Sequence, residues 1–200
     1  MPSGKLIVIS APSGSGKTTI ARRILDLNPS LRFSVSATTR PKREGETDGK
    51  DYFFLSEEEF RRRVAAGEFV EWEEVYPGKL YGTLKSEIER LLHAGYDVLF
   101  DLDVKGGLSI HKHYPNACLI FIRPPSIESL KQRLEGRKTE SAETIAGRLQ
   151  RVPMELELGK QFTHQVVNDD LQTAINEVQE IVARHLYNHR RNETHAHQTD

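Results

Sequence analysis

Apolar residues in this chain fall in short, nearly continuous runs. "KLIVIS" (5–10), "YDVLFDLD" (96–103), "ACLIFIR" (117–123) and "HQVVND" (164–169) each read as a strand covered on both faces. Between and after them the apolar period becomes helical. "TTIARRILDLN" (18–28) stops before Pro29. "TLKSEIERLLHAG" (83–95) sets Leu84, Ile88, Leu91 and Leu92 on one face and closes at Gly95. "SIESLKQRLEG" (126–136) starts with Ser126 as N-cap, and "SAETIAGRLQR" (141–151) and "LQTAINEVQEIVARHL" (171–186) follow. Strands alternating with helices predict an α/β fold: a parallel sheet with helices on both faces and right-handed crossovers.

Residues 33–82 break the alternation. They are rich in charge, Thr, Gly and aromatics, with β-like pieces "FSVSATT", "DYFFL" and "FVEWEEV". One helix, "SEEEFRRRVAAG", carries a Ser-x-x-Glu capping box at Ser56 and Glu59. The segment reads as an inserted, mostly antiparallel lobe, and it is where a second substrate would bind.

Two hundred residues suit one domain with a core large enough to need no staple. Lys and Arg number 28 against 29 Asp and Glu, a net charge of -1, so nothing chain-wide draws the protein to nucleic acid or membrane. Neither partner is expected, and any basic site must be local. Monomer and homo-oligomer both stay open. Cys118 is the single cysteine, which excludes an internal disulfide; inside "ACLIFI" it reads as core. No apolar run approaches the ~18 residues of a membrane span, and the N-terminus lacks the pattern of a signal peptide, so a cytoplasmic protein is expected. Residues 187–200 are polar, and with His185 they hold four of the eight His. A zinc reading would rest on His195 and His197; a loose, solvated end explains them as well, since no Cys or carboxylate cluster accompanies them.

The first chemistry-bearing stretch is "APSGSGKT", Ala11, Pro12, Ser13, Gly14, Ser15, Gly16, Lys17 and Thr18. It fits G-x-x-x-x-G-K-[ST] except that Ala11 replaces the first Gly. Gly14 and Gly16 permit the backbone angles that turn successive N–H groups inward around an anion. The helix behind adds its own N–H groups and positive dipole end. Lys17 suits β- and γ-phosphates, and the Thr18 hydroxyl suits Mg²⁺. A plain Gly/Ser turn would not need a Lys-Thr pair, a strand before it and a helix after it. The loop says ATP or GTP and leaves the acceptor open. A GTPase would also want N-K-x-D and D-x-x-G, which are absent.

In "SATTRPKREGETDGKDY", Arg40, Lys42 and Arg43 are cationic and Tyr52 offers a hydroxyl; Arg forks hold phosphate bidentately. A solvated basic loop is the competing reading. Glu71 precedes Trp72 in a β-like run. A pocket carboxylate needs donors, and guanine offers N1–H and N2–H₂ on one edge where adenine has neither. Leaving such a group unpaired discriminates by ~10⁴. A surface glutamate is the alternative.

"SAPSGSGKTT", "FSVSATTRPKREGETDGKDYFF", "GEFVEW", "YGT", "FDLDVKGG", "RLEGRKTES", "GRL" and "VVNDD" occur in this order and spacing. Over residues 4–186 the chain resembles the guanylate kinases, which move the γ-phosphate of ATP to GMP. The block from "SATTR" to "KDY" separates it from adenylate and thymidylate kinases. The resemblance implies a P-loop kinase fold, a parallel sheet flanked by helices, with an inserted small mixed or antiparallel β lobe for the nucleoside monophosphate and a helical lid. The core would cover 4–35 and 83–190, the GMP lobe 36–82 and the lid 137–150.

It further implies that Arg40, Arg43, Tyr52 and Tyr81 bind the GMP phosphate and that Ser36, Glu71, Thr83 and Asp103 read guanine. Asp101 would sit near the phosphates and Mg²⁺. Arg137 and Arg148 would close over the ATP phosphates, and Asn168 would lie beside adenine. A strand-end carboxylate capping the next helix competes with these roles for Asp101 and Asp103. Lys105, Gly106 and Gly107 fall in a variable family loop and receive no role. dGMP stays open as an acceptor, because none of these readers touches the 2′-OH. Two other classes compete: a guanylate-kinase-like module that binds protein on the GMP face, and another small P-loop kinase. The first usually has a damaged phosphate loop, which is whole here; the second would not need the Glu71–Thr83 pair. Pro41 and Gly82 are expected to mark part of a hinge at the lobe edge.

Overall fold

Strand β1 (Leu6–Ser10) is buried along its whole length, which requires packed layers on both sides. The computed structural model describes residues 4–76, 78–136 and 142–196, with nine strands and seven helices among them. β1 lies at the centre of a parallel sheet. β7 (Asp97–Asp101) pairs on one side of it and β8 (Cys118–Arg123) on the other, with β2 (Leu31–Phe33) outside β7 and β9 (His164–Val167) outside β8. Alternation along β1 assigns the faces. Ile7 and Ile9 pack with Ile20 and Ile24 of α1 (Lys17–Leu27) and Val178 and Val182 of α7 (Leu171–Ala196). Leu6 and Val8 pack with Ile88 and Leu91 of α3 (Lys85–His93) and Val104 and Ile110 of α4 (Val104–His113). Cys118 is in the first of these layers, and burial pushes its thiol up to about 12, the inert core cysteine expected.

The inserted lobe is a second sheet, ordered β4 (Phe53–Phe54), β3 (Ala37–Thr38), β6 (Lys79–Leu84), β5 (Phe69–Tyr76). It is mixed: β3 runs parallel to β4 and antiparallel to β6, and β5 and β6 are antiparallel. Helix α2 (Glu57–Ala65) closes it by stacking fully buried Phe60 on Phe69 at 4.4 Å. Half of the capping box forms: the Glu59 N–H donates to Ser56 Oγ at 3.1 Å, while the Glu59 carboxylate turns to Arg62 and Arg63. The second cap expected from sequence also forms, the Ser129 N–H donating to Ser126 Oγ at 3.0 Å ahead of α5 (Ile127–Gly136).

Four expectations need correction. Thr83 and Leu84 do not open a helix; they end β6, where Thr83 faces Glu71 across the strand pair, and α3 starts at Lys85. The stretch read as a variable loop is helix α4, started by Asp103, whose Oδ1 accepts from the Gly106 N–H at 2.8 Å. Its glycines hid the helical pattern, yet they are what lets it dock. A Cβ on Gly107 would stand 2.6 Å from Phe162 Cζ. Helix α6 (Ala142–Gly159) runs through Pro153 instead of ending near 151, giving up one backbone donor to keep Val152 fully buried against Leu130 and Leu134 of α5. Helix α7 reaches Ala196 rather than 186, taking in much of the segment read as a loose end, which contains neither Gly nor Pro. Gly82, expected at the lobe edge, sits inside β6, and its lack of a side chain has a packing reason: a Cβ there would stand 2.7 Å from the Glu71 carbonyl oxygen.

Helix propensity alone favours Gly→Ala by ~1 kcal/mol. Gly107→Ala is nevertheless expected to destabilise by about 1–3 kcal/mol through its clash with buried Phe162. Gly147→Ala in α6, where a Cβ meets nothing within 4 Å, should stabilise by ~0.5–1 kcal/mol. Urea midpoints at unchanged slope test both.

Candidate active site

The phosphate loop joins the C-terminal end of β1 to α1, at the sheet edge where α/β folds place ligands. Gly14 (φ 92°) and Gly16 (φ 88°) both adopt left-handed angles, as their place in the pattern requires. Gly16 is the N-cap of α1, with no side-chain cap and no acidic residue in the first turn. The helix start therefore offers bare N–H groups to an outside acceptor. Ala11 is buried in the core layer beside Ile9 and Ile20, so the missing glycine alters the entry to the loop and not its cradle. Pro12, Ser13, Gly14, Gly16, Lys17, Thr18, Thr19 and Arg148 line a cleft of about 260 Å³.

The loop is braced from beneath. Buried Asn168, at the end of β9, donates its amide to the Ser15 carbonyl at 2.8 Å, and its own carbonyl accepts from Arg133 at 3.0 Å. A Cβ on Gly16 would stand 2.4 Å from the Asn168 amide nitrogen. The side chain expected beside adenine is thus engaged in holding the loop. Above the loop, Lys17 forms an ion pair with Asp101 and donates to the Leu102 carbonyl at 3.1 Å. The Thr18 hydroxyl lies 3.3 Å from Asp101 Oδ2. Arg148 of α6 bonds Ser13 Oγ. Arg137 lies outside the described residues.

A second group lies in the lobe. Arg40, 8% exposed, is paired bidentately with Glu46, and its guanidinium lies 4.9 Å from the Tyr52 ring centre and 5.5 Å from that of Phe54. Tyr52 and Tyr81 meet edge to face at 6.1 Å. The hydrogen bond from Arg40 holds Glu46 down at about 2. Burial pushes Tyr52 up, against the pull of Arg40. The Arg43 side chain is exposed, while its backbone N–H donates to Glu46 Oε2 at 2.8 Å.

The third group is acidic. The Thr83 hydroxyl donates to Glu71 Oε1 at 2.6 Å. Burial raises the Glu71 carboxyl to about 7, with the Asp103 and Glu73 charges adding to it. The neighbouring Asp103 carboxylate and burial lift Glu73, while burial of Asp103 is outweighed by Glu73, the Gly106 N–H, Arg151 and Lys17, which hold it low. Ser36 stands at the entry to β3, half-buried, its carbonyl accepting from the Phe53 N–H at 2.9 Å.

The sequence-predicted residues thus gather as a phosphate-loop group, an arginine–tyrosine group and a carboxylate group. Glu46, Glu73, Arg151 and Glu155 were not anticipated. Glu155 is 7% exposed, beside Arg151 at 3.7 Å. A charged loop hides Glu46, whose partner lies six positions away at no regular spacing; Glu155, four residues after Arg151 on a helix, was open to detection as an i,i+4 pair.

A family model described as guanylate kinase matches residues 3–185. This chain belongs to the guanylate kinase family. A guanylate kinase of Salinibacter ruber is 51% identical over 178 residues, covering 88% of this chain and 94% of its own. One from Symbiobacterium thermophilum is 48% identical over 181 residues, covering 90% and 85%. Among solved structures, the crystal structure of guanylate kinase from Anaplasma phagocytophilum superposes with a TM-score of 0.70 at 30% identity, covering 90% of this chain and 85% of that one. The fold is that of a guanylate kinase, an α/β P-loop kinase with a mixed lobe.

The raised Glu71 carboxyl makes a stability prediction for the nucleotide-free enzyme. The folded chain keeps this proton up to about pH 7, whereas the unfolded chain loses it near 4.5. Ionisation therefore opposes folding, and stability falls as pH rises between those values. Glu71→Gln should gain on wild type by up to ~2–3 kcal/mol between pH 4.5 and 8, with the gain absent below pH 4. Denaturant melts of both proteins at several pH values measure it, and equal pH dependence would refute the buried-acid assignment.

Proposed function

We propose that this chain transfers the γ-phosphoryl group of ATP to GMP, giving ADP and GDP, and so returns GMP to the nucleotide pool in the cytoplasm. The observation that carries the reading is the Glu71–Thr83 pair, a buried carboxylate and hydroxyl bonded at 2.6 Å in the lobe. A carboxylate held at the edge of ionisation is stabilised by the N1–H and N2–H₂ of guanine, and adenine offers it neither. Ser36 and Asp103 complete the base site in this reading. Arg40, Arg43, Tyr52 and Tyr81 hold the acceptor phosphate.

On the donor side, the loop N–H groups from Gly14 to Thr18 and the start of α1 receive the ATP phosphates. Lys17, Arg148 and Arg137 neutralise the group in flight. The hard oxygens of Thr18 and Asp101, 3.3 Å apart at the mouth of the loop, suit Mg²⁺, which takes few protein ligands when it also binds phosphate. Such an ion, held by Thr18 and Asp101, would supply neutralisation of phosphate charge. Among the described residues no cluster of three or more His, Cys, Asp or Glu could hold a metal, so the phosphates themselves would complete its shell.

A GMP phosphate oxygen attacks the γ-phosphorus while the bond to the ADP oxygen breaks, in line and through a loose transition state. The acceptor is already an anion, so no general base is required. The protein positions two anions against each other and offsets their repulsion. Water is the competing acceptor, and the lobe over 36–82 and the lid over 137–150 are read as closing on both nucleotides together.

ADP release with ATP and Mg²⁺ should respond to GMP and not to AMP, CMP or UMP. Glu71→Gln should lose that preference, and dGMP should substitute for GMP. Lys17→Ala should lower kcat by at least ~10² with the fold intact. GMP binding without turnover by the wild-type chain would favour a protein-binding module instead.

A further inference from the structure

The donors of Arg40 can be counted. A guanidinium has five N–H groups: one on Nε and two on each terminal nitrogen. Nη1 donates to Glu46 Oε2 at 2.7 Å and to the Pro41 carbonyl at 2.9 Å, which uses both of its hydrogens. Nη2 bonds Glu46 Oε1 with one hydrogen. Glu46 therefore occupies the end of the fork, between the two terminal nitrogens. What remains is the side edge, Nε–H together with the second Nη2–H. These two donors are parallel and spaced for two oxygens of one anion. Neither Glu46 nor Pro41 uses them, and the Tyr52 hydroxyl, which also interacts with the guanidinium, is itself read as a phosphate-binding group. The Tyr52 ring lies against the same guanidinium, and Glu46 also takes the Arg43 N–H, which ties the loop carrying both arginines.

We infer that Glu46 is a positioning residue for the acceptor phosphate: it holds the end of the Arg40 fork so that the side edge faces the phosphate, and it stays in place when the nucleotide binds. A carboxylate standing in for the phosphate would have to sit on the edge the phosphate uses. Here the two edges are different, so Glu46 and the ligand do not compete. Burial makes the arrangement necessary, because Arg40 is 8% exposed and needs a permanent partner for its charge. The pair also fixes a long side chain whose rotamers would otherwise have to be frozen on binding. This inference rests on the reading of GMP as acceptor.

The test is steady-state kinetics of Glu46→Gln and Glu46→Asp beside wild type, with guanosine as a phosphate-free competitor. Expected for Glu46→Gln is a rise of at least tenfold in KM for GMP, with KM for ATP and the guanosine inhibition constant within twofold of wild type. Glu46→Asp, which keeps the charge, should recover part of the loss and serves if the amide variant does not fold. In an Arg40→Ala background, Glu46→Gln should add no further loss, because the carboxylate acts through that arginine. A lower KM for GMP would mean that Glu46 competes with the phosphate and would overturn the inference. Equal losses for GMP, ATP and guanosine would reduce Glu46 to a structural role and also overturn it. A wild-type chain that shows no GMP-dependent ADP release would fail the reaction itself, a result distinct from either.

Discussion

Gly16 has no room for a side chain, and the rest of the site follows from that. Its left-handed angle starts α1 without a cap, and the Asn168 amide fills the space where a Cβ would stand. Gly14 is confined in the same way, with Leu134 of α5 2.8 Å from where its Cβ would be. The loop is therefore clamped between β9 and α5. A flexible glycine loop would spend binding energy on ordering itself; a clamped one presents its N–H groups already aimed. The elements that look most distant from the chemistry, the last strand of the sheet and helix α5, are what fix its geometry.

The clamp also explains the placing of charge. With a net charge of -1 the chain has no general attraction for polyanions, so affinity for phosphate must come from cations held at specific points. Three cations of the site have internal partners: Lys17 has Asp101, Arg40 has Glu46, and Arg148 has Ser13. The carboxylate partners of Lys17 and Arg40 keep these partly buried cations from carrying an unpaired charge without ligand. The bond from Arg148 to Ser13 brings α6, the helix with the lid arginine, onto the loop it is proposed to cover.

Much of this was legible in sequence because it depends on local pattern. The four main strands are continuous apolar runs, and the phosphate loop is a motif whose context, strand before and helix after, is itself local. What was not legible depends on contacts between distant residues. Helix α4 is hidden by Gly106 and Gly107, which lower helix propensity but permit contact with Glu71 and Phe162. Helix α6 survives Pro153 because its packing on α5 outweighs a lost backbone bond. Gly82, read as a hinge, is small because another strand passes close to it. In the site, Glu71 and Thr83 are twelve residues apart and meet through antiparallel register, so spacing could not pair them without the hairpin. Glu46 was invisible for a related reason: the loop that brings it to Arg40 has no period.

Lys17 and Arg40 are partnered in ways that follow from their chemistry. An ammonium is a compact charge with no separate edges, so Lys17 cannot hold Asp101 and a phosphate as independent bidentate partners. On the proposed reading Lys17 would serve the phosphate and Asp101 would help to hold Mg²⁺, so that each would keep a counter-charge. A guanidinium has distinct edges, so Arg40 keeps Glu46 on one and offers another. On that reading the donor site would thus work by exchange and the acceptor site by addition. That difference suits their ligands. On the proposed reading Asp101 and Thr18 would hold a metal brought with ATP, which would supply a counter-charge for the carboxylate. The GMP phosphate arrives without one, and a carboxylate released beside it would repel it. Keeping Glu46 bound to Arg40 prevents that repulsion while leaving two donors aimed at the acceptor.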